Sequence, residues 1–335
     1  MDKPFDLVAI GDTVSDEFIE LKDLRIDTDP DTGDCGYDEI CFRFGDKVPF
    51  ESARLIYAVG NAANAAVAAT RLGLHTAFIT DFGSDELGDR KLQTLQENGV
   101  DCRYVRQHEG MESNHHYVLR YRAERTILIK HWGYPYALPE NLEPPTWFYF
   151  SSVGEHGLPY HHEIAHYLKE HPKTKLAFQP GTFQISVGVE AIKDIYEETD
   201  IFFCNKNEAK TILKSDADDI QTLLAGVRAL GPQIAVITDG PNGAYADDGT
   251  EIWSMPMYPD PKEPIDRTGA GDSFSSTFTT AIAAGKSIPD ALAWAPINSM
   301  SVVQYIGAQE GLLTREKLEE YFKNAPSDYA PQKIG

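Results

Sequence analysis

Cysteine and positive charge are both scarce in this chain. The four cysteines, Cys35, Cys41, Cys102 and Cys204, form no CxxC pair, and free thiols in a reducing, cytoplasmic compartment are the simplest reading. Only 30 lysines and arginines stand against 52 acidic residues, a formal net charge of −22. A field of that sign repels nucleic acid and anionic membranes and excludes both as partners. It also repels ATP on average, so a nucleotide site must attract locally, through backbone N–H groups and a bound cation. Long apolar runs are missing too: nothing approaches the ~20 residues of a membrane helix. The N-terminal run from Met1 to Asp6 lacks the charged-then-apolar layout of a signal peptide.

What is present suffices for a large core. With 335 residues and 42% hydrophobic side chains, the chain suits one large α/β domain carrying a smaller piece. Leu7-Val8-Ala9-Ile10 reads as a buried strand ending at Gly11-Asp12. Residues 40–44 and 55–59 read as strands, 61–72 as an Ala-rich helix closed by Gly73, 76–80 as a strand and 86–96 as a helix. Residues 117–122 and 126–129 are β-rich and turn-separated, a small antiparallel sheet inserted in the fold. Beyond them strands (147–153, 175–179, 200–204, 233–238) alternate with helices (160–170, 188–197, 207–214, 219–229), and the end is helical at 270–284, 289–305 and 314–323. Such alternation implies a mostly parallel sheet covered by helices.

The strongest chemical signal is Asp266-Arg267-Thr268-Gly269-Ala270-Gly271-Asp272 at the start of a helix. Small residues at Gly269, Ala270 and Gly271 let backbone N–H groups face a ligand closely, and the helix N-terminus adds partial positive charge. Asp272, in the first turn, can accept a proton from a hydroxyl while those N–H groups hold the phosphoryl group it attacks. Base and anion hole in one loop is what phosphoryl transfer to an alcohol needs.

This run resembles the signature of the PfkB, or ribokinase-like, carbohydrate kinases. Gly60-Asn61-Ala62-Ala63-Asn64 is similar to the family's Gly-Gly-x-x-x-Asn motif, with Val59 where the first glycine usually stands. Residues 81–88 match a recurring family segment, residues 124–128 resemble the lid hairpin, and Asn205-Lys206-Asn207-Glu208 resembles the Asn-x-x-Glu motif. Thr238-Asp239-Gly240-Pro241-Asn242-Gly243 is similar to the nucleotide loop. The resemblance implies a three-layer αβα core with a mostly parallel sheet, from 1–20, 59–98 and 132–335, and a small β-sheet lid from 21–58 and 99–131. It implies ATP and Mg²⁺ as cofactors, with Asn205, Thr238, Gly240, Gly243 and Asn298 beside the nucleotide, Asn205 and Glu208 organising the metal, and a K⁺ near Asp266 and Gly307. Asp12, Asp16, Gly60, Asn61 and Asn64 fall on the acceptor side, Asp16 taking hydrogen bonds from two hydroxyls. Strand alternation puts His116 and Arg120 on one lid face, toward the acceptor. Asn205 and Glu208 read alternatively as a helix cap, and residues 238–240 as a bare turn.

Three functions stay open: a sugar kinase, a ribonucleoside kinase, and a non-catalytic sugar-binding regulatory protein on the same fold, with a homodimer formed through the lid. The helix segment His162-Glu163-Ile164-Ala165-His166 spells HExxH, a zinc-hydrolase pattern. It lies between two sheet strands in a His-rich stretch whose surroundings the kinase reading explains without a metal. Asp27, Asp29 and Asp31 mimic the start of a calcium loop, but Thr32 occupies the required glycine position and Asp38 that of the bidentate glutamate.

Overall fold

The computed structural model describes residues 4–22, 25–27, 39–121 and 124–335. The acidic run through Asp29, Asp31 and Asp38 lies outside them, as do Cys35 and Arg122. In chain order the first elements are β1 (Leu7–Ile10), β2 (Val14–Leu21), β3 (Arg25–Asp27), β4 (Glu39–Cys41), β5 (Phe50–Val59), α1 (Asn61–Arg71), β6 (Thr76–Gly83) and α2 (Glu86–Glu97). Then come β7 (Val105–His108), β8 (His115–Tyr121), β9 (Glu124–Leu128), β10 (Trp147–Phe150), α3 (Leu158–Glu170), β11 (Lys175–Phe178), α4 (Thr182–Val187) and α5 (Lys193–Glu197). The last third holds β12 (Ile201–Asn205), α6 (Lys206–Leu213), α7 (Ile220–Arg228), β13 (Ile234–Thr238), β14 (Ala244–Asp247), β15 (Ile252–Met255), α8 (Ala270–Ala283), α9 (Ile288–Val302), α10 (Arg315–Lys323) and β16 (Gln332–Lys333).

Ten strands form one sheet in the order β16-β15-β14-β13-β12-β11-β10-β1-β6-β7, parallel from β7 to β13 and antiparallel beyond. Its central strands are apolar throughout because both faces are covered. Alternation divides them: Leu7 and Ala9 point into a core with α1, α8 and α9, whereas Val8 and Ile10 point into a second core with α3, α5, α6 and α7. In the second core Phe150, Phe178 and Phe202 are fully buried and pack ring against ring. Each contributes roughly 1.5–3 kcal/mol by leaving water. Every residue of α1 from Ala62 to Ala69 is buried, and all but Asn64 and Val67 are alanines, which lets that helix lie close to α8.

The lid is a four-stranded sheet, β5-β2-β8-β9, in which β2 and β8 run parallel. Two boundaries differ from the sequence reading. Residues from Val14 onward, placed there in the core, form the central lid strand β2. Residues 105–108, placed there in the lid, form β7 on the edge of the main sheet, where Arg106 and His108 bond to Asp81 of β6. Polar edge pairing of this kind leaves no apolar periodicity to read. The strand expected at 40–44 is short and pairs with β3 in a separate two-stranded ribbon. The helix expected at 188–197 divides into a 3₁₀ turn and α5, and β14 to β16 were not foreseen. Among the described residues no helix is long and apolar enough to cross a membrane.

Candidate active site

The glycine loop is built as its residues require. Gly269 caps α8 in the left-handed region, at φ 80°, and a Cβ there would stand 2.4 Å from that of Ala308. Only glycine meets both demands. The loop is tied from behind, where Thr268 and Gly307 donate to Asp266.

Asp272 sits in the first turn of α8, partly open to the cleft and held by three side-chain amides. Asn61 Nδ2 donates to Oδ1 at 2.9 Å, Asn64 Nδ2 to Oδ2 at 2.8 Å, and Gln179 Nε2 to Oδ1 at 3.1 Å. Each bond favours the ionised form, yet burial outweighs them and raises the carboxyl above its ordinary range, with the charge of Asp16 adding to it. A raised pKa makes a stronger base, and the amides fix its direction. The holders are themselves held. Gln179 Oε1 accepts from Tyr149 and Ser275, and Asn64 Oδ1 accepts from Gln309, which also bonds the Ala58 carbonyl.

Asn61 and Asn64, expected on the acceptor side, each place an amide N–H on Asp272. Gln179, just after β11, was missed; it is 93 residues from Asp272 and carries no motif.

A second cluster joins lid to core. Asp16 on β2 has a buried Oδ1 with no hydrogen-bond partner, 3.4 Å from His116 Nδ1 of the neighbouring strand β8. His116 Nε2 lies 3.2 Å from His131 Nε2, and His131 Nδ1 lies 3.3 Å from Asp12 Oδ2. Tyr136 donates to Asp12, which is buried and raised above the carboxylate range mainly by that burial. Gly60, at φ 109°, turns the chain from β5 into α1 against the Asp12 carbonyl. Arg120, expected beside the acceptor with His116, pairs with Glu20 and donates to the Ile265 carbonyl, just before the glycine loop. His131 and Tyr136 went unread because they lie in an irregular segment.

A cleft of apolar floor and polar ends runs beside Gly271, lined by Thr238, Gly240, Gly243, Arg267, Phe274 and Met300 among others. Gly243 is forced, since a Cβ would meet the Met255 carbonyl at 2.1 Å. Asn298 is a correction. It is fully buried in α9, donates to Thr277 and accepts from Leu313 N, so both ends of its amide are used inside the helix packing. An adjoining cavity holds Asn205, Glu208, Gln179, Gly271 and Ser275. Asn205 and Glu208 form a reciprocal capping box at the start of α6. The cap reading therefore holds, and the same two side chains line the cavity. Burial raises the Glu208 carboxyl, and the charge of Asp272 raises it further.

The HExxH residues lie on α3, away from this cleft. His162 pairs with Asp194, His166 pairs with Glu170, and Glu163 accepts from Leu138 N. Among the described residues no group of three or more His, Cys, Asp or Glu side chains is placed to hold a metal ion.

A Gly-rich loop at a helix start on an αβα core, with a half-buried aspartate in that helix's first turn and a β lid above, defines a phosphotransferase that acts on an alcohol. Residues 36–315 match the pfkB family carbohydrate kinase model, and the chain belongs to that family. It is 27% identical to the ribokinase of Bacillus subtilis (strain 168) over 269 residues, 78% of this chain and 86% of that one. It is 24% identical to a nucleoside kinase of Methanothermobacter thermautotrophicus over 318 residues, 93% of this chain and 94% of that one. The solved structure of Arabidopsis thaliana ribokinase complexed with ribose and ATP superposes with a TM-score of 0.77 at 20% identity, covering 96% of this chain and 99% of that one.

Proposed function

We propose that the protein transfers the γ-phosphoryl group of ATP to a hydroxyl of a sugar, with Asp272 as general base. The observation that carries this is the juxtaposition of a raised, amide-oriented carboxylate with an open N–H loop at one helix start. The acceptor hydroxyl gives its proton to Asp272 while Gly269, Ala270 and Gly271 receive the moving phosphoryl group. Asp16, with its unsatisfied Oδ1, takes the acceptor's neighbouring hydroxyls, and Asp12 and His116 close that wall. The base and floor of the nucleotide lie along Thr238, Gly240 and Gly243.

The residues present fit a divalent cation. Burial and the charge of Asp272 raise the Glu208 carboxyl beside a cavity that Asn205 also lines, and a cation there would favour its ionised form. Asn205 and Glu208 would hold Mg²⁺ through its water shell, and the ion would supply charge neutralisation for the phosphates. A K⁺ site beside Asp266 and Gly307 belongs to the same reading, tested by activity in K⁺ against Na⁺. The outer lid face exposes Tyr117, Leu128 and Ile129, which supports a homodimer through the lid, tested by mass in solution.

A ribonucleoside acceptor is the second reading, favoured by the near-complete alignment with a nucleoside kinase. Both acceptors present a diol to Asp16. A non-catalytic role is disfavoured by retention of Asp272, Asn205 and Glu208. ADP release coupled to a colour reaction, screened over sugars, sugar phosphates and nucleosides, decides among the three. No ADP release with any acceptor would sink the kinase reading.

A further inference from the structure

Lys91 is the one lysine on α2, and no part of it reaches solvent: its exposure is 0%. Lysine is almost never fully buried without a paired charge, and its burial costs stability. Here the ammonium has no carboxylate in contact. Nζ donates to the Asn114 carbonyl at 2.8 Å and the Thr13 carbonyl at 3.3 Å, and lies 5.9 Å from the centre of the Phe82 ring.

Those two carbonyls mark where the lid is rooted. Thr13 precedes β2 and Asn114 precedes β8. The remaining crossings reach the same point. Thr13 Oγ1 donates to the Val59 carbonyl at the end of β5, and Trp132 N donates to Asn114 Oδ1 just after β9. Ser15 N also bonds the Asn114 carbonyl. Thus, among the described residues, all four lid strands enter or leave the core through one polar knot in which Lys91 is the cation. Asp12 and Asp16 flank Thr13 in sequence, one on each side of this knot.

We propose that Lys91 is a positioning residue for the acceptor: its buried ammonium ties the roots of the lid strands together and so fixes Asp16 of the lid against Asp12 of the core. The carboxylates that face it are Asp85 at the start of α2, Asp12 before the lid and Asp16 on β2. Their attraction does not offset burial, which lowers the lysine from 10.5 to about 7. The sign follows. Between about 7 and 10.5 the unfolded chain holds a proton that the folded chain lacks, so this group makes stability rise with pH across that window. A lysine that costs stability at neutral pH and has no surface open to a ligand is retained for what it positions.

The inference rests on the acceptor reading of Asp12 and Asp16, and the test separates the two. Hydrogen exchange is measured on the full chain without ligand, for the parent, Lys91→Met and, should that variant not fold, Lys91→Gln. Amides at 13–16, 58–61, 114–116 and 131–133 are expected to exchange about tenfold faster in the variant, as loss of a charge-assisted bond implies, with β10, β11 and α8 unchanged. The part of the stability–pH slope between pH 7 and 9 that belongs to Lys91 is expected to vanish. With whichever of D-ribose, D-fructose or adenosine the parent phosphorylates, the variant's acceptor KM should rise about tenfold while its nucleotide KM stays within about twofold. The parent's acceptor KM should climb as pH passes upward through 7, and the variant's should not; His116 and His131 are present in both and cancel. Unchanged exchange at the strand roots, or equal loosening throughout the molecule, overturns the inference. A parent that releases no ADP instead overturns the acceptor reading, and the exchange result still judges Lys91.

Discussion

Asp272 and Asp16 are the same residue type in opposite circumstances. Asp272 is surrounded by amide donors from α1 and the loop after β11, all within the rigid core, and its oxygens are satisfied before any ligand arrives. Asp16 stands on the lid with a buried oxygen that no hydrogen bond within the protein satisfies, His116 Nδ1 lying 3.4 Å away. A buried acceptor without a partner costs about 1–3 kcal/mol, so it is retained where a ligand completes it. In the proposed reaction the base is held by the protein, because its direction sets the rate, and the recognition group keeps an oxygen for the substrate, because that bond sets the affinity.

The largest effect should come from the held member. Asp272→Asn keeps shape but cannot take a proton, and kcat is expected to fall by roughly 10²–10⁴ with nucleotide binding largely kept. Full turnover by this variant would erase the contrast, leaving Asp272 as a helix cap.

The vacant member should show itself in affinity. Asp16→Asn loses the charge behind two hydrogen bonds worth roughly 1.5–3 kcal/mol each, so kcat/KM should drop by about 10²-fold or more. A deoxy acceptor lacking one of those hydroxyls should already be poor with the parent, and poorer by much less with the variant. Simple addition of the two losses would take the diol away from Asp16.

Gln179 sharpens the comparison from the side of the base. Gln179→Leu removes one donor that lowers the Asp272 pKa while leaving burial in place. The carboxyl should therefore rise further, and the acid limb of the kcat/KM profile should move to higher pH, with kcat down about tenfold from lost orientation. An acid limb that stays put would mean Gln179 serves packing alone.

Legibility followed chain locality. The loop from Asp266 to Asp272 is one continuous stretch whose chemistry depends on near neighbours, so it could be read directly. Asn205 and Glu208 likewise cap within three residues of one another. Asn61 and Asp272 are 211 residues apart, and nothing in either segment says that the amide will bond the carboxylate. Asn298 misled for the complementary reason. An amide in an apolar helix suits a ligand or a neighbouring helix equally well, and here Thr277 and Leu313 take it. The alternation of strands and helices placed the main sheet, while β7 and β14 to β16, short edge elements held by backbone pairing, left too few apolar positions to count.

The smallest effect is expected where a motif is complete and its setting is wrong. HExxH binds zinc only if both histidines face one open point and a third ligand joins them. On α3, His162 is engaged by Asp194 at 2.7 Å and His166 by Glu170 at 3.5 Å, and Glu163 is taken by the backbone of Leu138. The histidines are 51% and 73% exposed, so their pairs are worth about 0–1 kcal/mol at most. His162→Ala with His166→Ala should thus leave kinase activity within about threefold of the parent and shift Tm by no more than a few degrees. Metal analysis of purified parent should find no stoichiometric zinc. Zinc that copurifies at one per chain and disappears in the double variant would restore the hydrolase pattern, and would show that a side-chain rearrangement on α3 can assemble a site that its present ion pairs deny.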